Sequence, residues 1–386
     1  MLPLGLVKCR GFELRGSLMR MKYGASCSVS TTFRAMKRLL VLVLTLLIMS
    51  GCGSGIQDSP FLTRSDRIVA ELAKPSAPYV ATDASTQTHH MPFFEDSYGV
   101  RALCEAYRAS RNPSYLAAAQ GWTNRILADQ ARMIPTGAYY MNYSEFRQPG
   151  ETQGDWYVAD SSSIAQAVLC TARLSNGPEG ARYQASVQQF FSLVEDFYTN
   201  LDGGTSNGIW GSYQSSWWAS TAIFGAFAFE MYKETGDPIY LERGLKSFDW
   251  LSTTGTMNFV RPSFAQGAPG IILYTGEFYV QAWPYVQGTA REPVASKELQ
   301  FVFAWMTANQ KSQNPNSPID YTAHGQTYMA GLPALSYTMR VGDSDAELSY
   351  LRTLMTNETN LADADIWALT TWLAWSESAQ LLGINR

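Results

Sequence analysis

Asn112-Pro113-Ser114-Tyr115-Leu116, followed by Trp122 and Leu127, is matched by Asp237-Pro238-Ile239-Tyr240-Leu241, followed by Phe248 and Leu251. Weaker echoes fall at Gly177-Pro178 ahead of Tyr183, at Glu292-Pro293 and at Gly342-Asp343-Ser344-Asp345. Positions 113, 178, 238, 293 and 343 are spaced by 65, 60, 55 and 50 residues. The two strong copies each follow an apolar helix and place proline in the first turn of the next, behind an Asn or Asp cap. Repetition at this period as helix, turn, helix narrows the fold sharply. One such hairpin cannot bury its own apolar face, so the hairpins must stack on one another.

The periodicity predicts helices near 61–73, 96–111, 113–129, 160–175, 179–199, 214–235, 237–253, 272–287, 294–309, 324–341, 344–357 and 361–382. Strand signals are few. The fold class expected is all-α, an (α/α)6 barrel of about six hairpins in one domain over 61–386. Inner helices are those apolar nearly all round, such as the run 219–229. Outer helices are amphipathic, as over 240–250, where Glu242, Arg243, Lys246 and Asp249 are interleaved.

The N-terminal region reads as something other than this domain. Met36-Lys37-Arg38, an apolar run over 39–49 and Ser50-Gly51-Cys52-Gly53-Ser54-Gly55 make an export signal, too short to span a bilayer. The Ser-Gly-Cys ending resembles a bacterial lipoprotein signal, which implies lipidation at Cys52 and a membrane-anchored protein of the periplasm or outer membrane. An ordinary signal peptide is the alternative. Residues 1–35 are then an upstream extension from a misplaced start codon, 36–51 the signal and 52–60 a polar tether.

The first 51 residues carry eight of the 29 Lys and Arg but one of the 33 Asp and Glu, leaving 21 basic against 32 acidic, a net −11. That charge argues against nucleic acid and against electrostatic membrane binding, so contact with a membrane is expected through the lipid anchor alone. Of five cysteines, Cys104 and Cys170 remain inside the domain. We expect two buried free thiols there, a disulfide in an oxidising compartment being the alternative. No spacing suggests a metal cage, and no nucleotide, flavin or other cofactor signature is present.

Two helices begin alike, each with an aspartate at the mouth of an apolar run: Phe93-Phe94-Glu95-Asp96-Ser97-Tyr98 and Trp156-Tyr157-Val158-Ala159-Asp160-Ser161. Asp96 and Asp160 are 64 positions apart, close to the repeat. A closed ring would set both carboxylates on neighbouring inner helices facing one cup, an arrangement suited to acid–base chemistry on a sugar. The bland reading is that each caps its helix. Asp155, Glu95 and Glu277 are the competing carboxylates.

The segments expected to join outer to inner helices are rich in aromatic, Gly and polar residues: 137–143, 154–157, 208–218 and 274–279. Aromatic faces bind the C–H faces of pyranose rings, so Trp156, Tyr157, Tyr140, Tyr143, Trp210, Trp217 and Trp218 are candidate sugar-binding residues. Arg261 and His324 are candidates for polar contacts. Taken singly, each tryptophan reads better as packing; the clusters together favour a carbohydrate site.

The order His89-His90, Glu95-Asp96, a helical hairpin, then Val158-Ala159-Asp160 resembles the six-hairpin glycosidase superfamily. It is most similar to the unsaturated glucuronyl and rhamnogalacturonyl hydrolases over about 89–253. Ser215-Ser216-Trp217-Trp218-Ala219 through Gly236-Asp237-Pro238 resembles a later inner helix and turn of that group. The resemblance implies a glycoside hydrolase in which an aspartate protonates the C4=C5 bond of an unsaturated uronic acid and water adds at C5. By position Asp160 takes that role, with Asp96 as its partner. Met91-Pro92-Phe93-Phe94 stands where a His- and Trp-rich motif belongs, and the likeness ends after 255. The expected ligand is an acidic oligo- or polysaccharide. Two alternatives stay open: a helical-toroid polysaccharide lyase using Tyr139, Tyr140, Tyr143, His324, Tyr328 or Arg261, and a glycan-binding lipoprotein without chemistry.

Overall fold

The computed structural model describes residues 93–141, 156–208, 215–255 and 268–309, with most of 65–73. These residues lie in one compact unit spanning 55–386. Cys52, the tether, Tyr143, Asp155, Trp210, Arg261, His324, Tyr328 and the three helices expected after 309 fall outside the described residues, as does the side chain of Glu95.

Among the described residues, beyond helical residues within 65–72, eight helices follow one another as four hairpins: α1 (Phe93–Ser110) with α2 (Pro113–Gln130), α3 (Val158–Leu174) with α4 (Gly177–Phe197), α5 (Trp218–Thr235) with α6 (Pro238–Thr254), and α7 (Ala268–Val286) with α8 (Glu292–Asn309). The odd-numbered helices pack in sequence, α1 on α3, α3 on α5 and α5 on α7, while each even-numbered helix packs on its hairpin partner. This is the inner and outer layering of an (α/α)6 toroid. Among the described residues β-structure is limited to two isolated bridges, Tyr157 with Gly208 and Thr199 with Thr205.

The repeated signals act as expected. Asn112 and Asp237 are extended N-cap residues whose side chains accept from the backbone N–H of Ser114 and Ile239, and Pro113 and Pro238 occupy the first helical position. Gly236 ends α5 at φ 70°, where a side chain would strain the left-handed cap. Inner and outer helices differ in burial as the sequence implies. Within α3 only Asp160, Arg173 and Leu174 escape full burial, whereas α6 buries a single stripe.

Close packing of the layers is visible at two glycines. A Cβ on Gly225 of α5 would lie 2.6 Å from the Ser247 Cβ on α6 and 2.7 Å from the Phe278 ring on α7. A Cβ on Gly244 would meet the Phe229 ring at 2.6 Å. Around them Phe190, Phe191, Phe224, Phe227 and Tyr240 interlock, with Phe191 edge-on to Tyr240 at 4.6 Å.

The structure corrects the cysteine expectation. Cys104 of α1 and Cys170 of α3 form a disulfide, with Cα atoms 6.4 Å apart. The two positions sit at similar depths along adjacent inner helices, which brings their side chains face to face. The bond therefore ties neighbouring inner helices inside the core.

Candidate active site

Connections within hairpins are short, and those from outer to inner helix are long: 131–157, 198–217 and 255–267. One of them, 198–208, is fastened to two inner helix starts. Val158 N–H donates to Asn207 O at 3.1 Å, and Trp217 N–H donates to Thr205 O at 2.7 Å. Gly208 pairs with Tyr157.

This loop explains why Asp160 is not a cap. The N-cap of α3 is Tyr157, held extended with no side-chain cap bond, and the loop backbone takes up the first N–H. The helix starts two residues earlier than the sequence implies, so Asp160 lies inside its first turn. α1 likewise starts at Phe93, placing Asp96 within the helix.

The two aspartates differ sharply. Asp160 alone among residues 158–172 keeps partial exposure. The Tyr274 hydroxyl of α7 donates to Asp160 Oδ1 at 2.8 Å. Asp96 is fully buried, and its Oδ2 accepts from Trp122 Nε1 of outer helix α2 at 3.3 Å. Arg125, one turn further along α2, is close enough for the Asp96 charge to raise its pKa, against the larger lowering from burial. Asp96 thus addresses the seam between inner and outer layers, and the structure does not bring it to the mouth beside Asp160.

The aromatic candidates divide in the same way. Trp156 is buried edge-on to Tyr198 at 5.0 Å, with Gly208 against its ring. Tyr140 packs against Phe93 at 6.3 Å, and Trp218 is buried in the α5–α7 core. Those three are packing residues. Trp217 is half exposed at the start of α5, and Tyr157 is half buried at the start of α3. Tyr139, a lyase candidate, exchanges a 2.8 Å hydrogen bond with Ser186, and burial pushes its phenol well up. A base drawn from that phenol would be hard to ionise.

One turn below Tyr274 lies a charge network in which the sequence reading picked out Glu277, as a competing carboxylate, but not its partners Arg101 and Tyr98. Glu277 of α7 is fully buried, accepting from Arg101 NH1 at 2.5 Å and from the Tyr98 hydroxyl at 3.0 Å. Burial pushes the Tyr98 phenol far above its usual range, and the Glu277 charge adds to that. The segment 274–279, read as a joining segment, is helical. A signal for the network was present in Val100-Arg101-Ala102-Leu103, where an arginine interrupts a short apolar run of the inner helix.

Neither a protein-family model nor a curated protein matches the chain by sequence. Solved structures share its (α/α)6 architecture. A family 76 mannosidase from Bacteroides thetaiotaomicron matches with a TM-score of 0.60 at 12% identity, over 84% of this chain and 100% of its own. An α-1,6-mannanase from Salegentibacter, an inactive variant with two consecutive aspartates replaced and α-1,6-mannotetrose bound, matches at 0.57 and 11% identity over 84% of this chain and 100% of its own. Cellobiose 2-epimerase from Bacillus thermoamylovorans matches at 0.58 and 12% identity over 82% and 98%. At such identities the likeness establishes the architecture. Two consecutive aspartates occur nowhere in the present sequence.

Proposed function

We propose that this protein is a glycoside hydrolase acting on an acidic, uronate-bearing oligosaccharide at the mouth of the toroid, with Asp160 as its proton-transferring carboxylate. The observation that carries this reading is the partly exposed Asp160–Tyr274 pair near the inner helix starts of a fold shared with sugar-processing enzymes. Trp217 and Tyr157 supply exposed aromatic surface on the flanking helix starts. Buried Asp96 is assigned a structural role.

Ordinary glycoside hydrolysis uses two carboxylates on either side of the scissile bond. Among the described side chains, Asp160 is the carboxylate accessible at an inner helix start. Hydration of an unsaturated uronyl unit needs less. The helix N-terminus and the Tyr274 hydroxyl both favour negative charge on Asp160, which suits it to take a proton from water. As the water oxygen bonds C5, the Tyr274 proton passes to C4 and the proton on Asp160 returns to Tyr274. Water is added across C4=C5; the C5 hemiketal then opens at the ring oxygen to a ketone, and the C1 hemiacetal so formed collapses to an aldehyde with release of the alcohol. The Cys104–Cys170 bond supports an exported protein, and the signal-like segment 36–51 ending at Cys52 supports export with a lipid anchor.

The test is activity of the purified protein and its Asp160→Asn variant on unsaturated uronyl disaccharides, intact acidic oligosaccharides and α-1,6-mannooligosaccharides. A fall in the ultraviolet absorbance of the conjugated uronate, lost in the variant, supports hydration. Reducing ends released from the mannooligosaccharides alone would overturn the acidic substrate and keep a hydrolase. A rise in absorbance would mean a lyase. Binding without turnover would overturn the enzymatic reading.

A further inference from the structure

The inner helices carry two tiers of polar contacts in matching register. In the upper tier Asp160 of α3 meets Tyr274 of α7. In the lower tier Tyr98 and Arg101 of α1 bond Glu277 of α7, and the buried Ser163 hydroxyl of α3 lies beside Tyr98 without a geometrically formed hydrogen bond. Ser163 follows Asp160 by three residues and Glu277 follows Tyr274 by three. The lower tier therefore lies one helical turn beneath the upper on both helices.

The Arg101–Glu277 pair joins the first and fourth inner helices in sequence order, which are linked otherwise through the packing of α3 and α5. Both side chains are nearly inaccessible, at 5% and 1%. Removing one partner from such a pair leaves an uncompensated buried charge, whereas replacing both with apolar groups of similar volume is often neutral for stability. A buried pair of this kind is thus weak evidence of a stabilising purpose, and its position beneath Asp160 supplies another.

We propose that Arg101 and Glu277 are positioning residues that hold α7 against α1, so that the Tyr274 hydroxyl rests on Asp160. Tyr98 completes the clamp by occupying the second oxygen of Glu277, which leaves the carboxylate one orientation. This inference rests on the reading of Asp160 and Tyr274 as the reacting pair.

The experiment compares Arg101→Met/Glu277→Met, which removes both charges and keeps volume, with Arg101→Glu/Glu277→Arg, which restores the pair in reverse. Two readouts are followed: kcat and KM on the substrate turned over by the unaltered protein, and hydrogen exchange of the backbone at 274–278. For the double-Met protein we expect cooperative unfolding retained, kcat lower by about 100-fold and KM within about twofold. Exchange at 274–278 should be faster by about tenfold. The reversed pair should regain most of both. An unaltered kcat and unaltered exchange in the folded double-Met protein would overturn the proposal, as would a folded reversed pair that regains neither. If the double-Met protein does not fold, the reversed pair decides alone. Should Asp160→Asn and Tyr274→Phe leave activity intact, the reading of the site fails instead, and the exchange measurement still judges the clamp.

Discussion

Tyr274 and Asp160 are joined by a 2.8 Å hydrogen bond although α5 stands between their helices in the packing order. The bond links the third residue of one inner helix to a residue 114 positions later, at the mouth rather than in the core. The cap of α3 is made by backbone from residue 207, so Asp160 is not engaged in capping its own helix.

Replacing Asp160 by Asn should therefore lower kcat by about 10³-fold and shift stability by less than about 1 kcal/mol. Tyr274→Phe should lower kcat by about 10²-fold, since it removes the donor and leaves the ring. Steady-state kinetics beside thermal melts check both. A large loss of melting temperature with proportionate loss of activity would mark the pair as structural.

Asp96 should behave in the opposite way. Its carboxylate is sealed beneath the surface and holds the Trp122 indole across the α1–α2 seam. Asp96→Asn and Trp122→Phe should each cost about 1–3 kcal/mol, because a buried polar atom loses its partner. Denaturant titration measures that cost, and kcat of the folded variants should stay within about threefold of the parent. A selective collapse of kcat would restore Asp96 to the chemistry.

The contrast shows what the chain makes readable. Asn112-Pro113 and Asp237-Pro238 declare helix starts through local chemistry, so α2 and α6 lie within about one residue of expectation. Asp96 and Asp160 look alike locally, and their difference is tertiary. One helix start is set by a loop from residues 198–208, and the neighbouring outer helix supplies Trp122. Tyr274 and Arg101 were missed for the same reason, since their partners are 114 and 176 positions away. Trp156, Tyr140 and Trp218 were grouped with the exposed aromatics because composition does not separate a ring that binds from a ring that packs.

The Cys104–Cys170 bond closes a loop of 66 positions. Chain-entropy reasoning gives it about 4 kcal/mol, within a typical spread of about 2–4 kcal/mol. The Cys104→Ala/Cys170→Ala protein should unfold at correspondingly lower denaturant concentration. Reductant should weaken the parent and leave the double variant unchanged. If both proteins unfold alike without reductant, the thiols are free in solution.

Glu230 gives the fold a defined sensitivity to acid. Burial alone would push its carboxyl up, but Arg173, then Lys233, outweigh burial and hold it below its ordinary 4.5. Arg173 reaches Glu230 Oε2 at 2.6 Å and the Glu230 carbonyl at 2.7 Å, tying the far ends of α3 and α5. A folded-state pKa below the unfolded value means that the unfolded chain binds the proton more readily. The contribution is therefore complete above the ordinary value and is lost as pH falls through the depressed one. Glu230→Gln should lower stability by about 2 kcal/mol near neutrality, less than for a fully buried pair because Glu234 still engages Arg173 at 2.6 Å. Its urea midpoint should converge on that of the parent as the pH is taken below 4. A gap that stays constant down to that pH would mean that the loss is one of packing rather than charge.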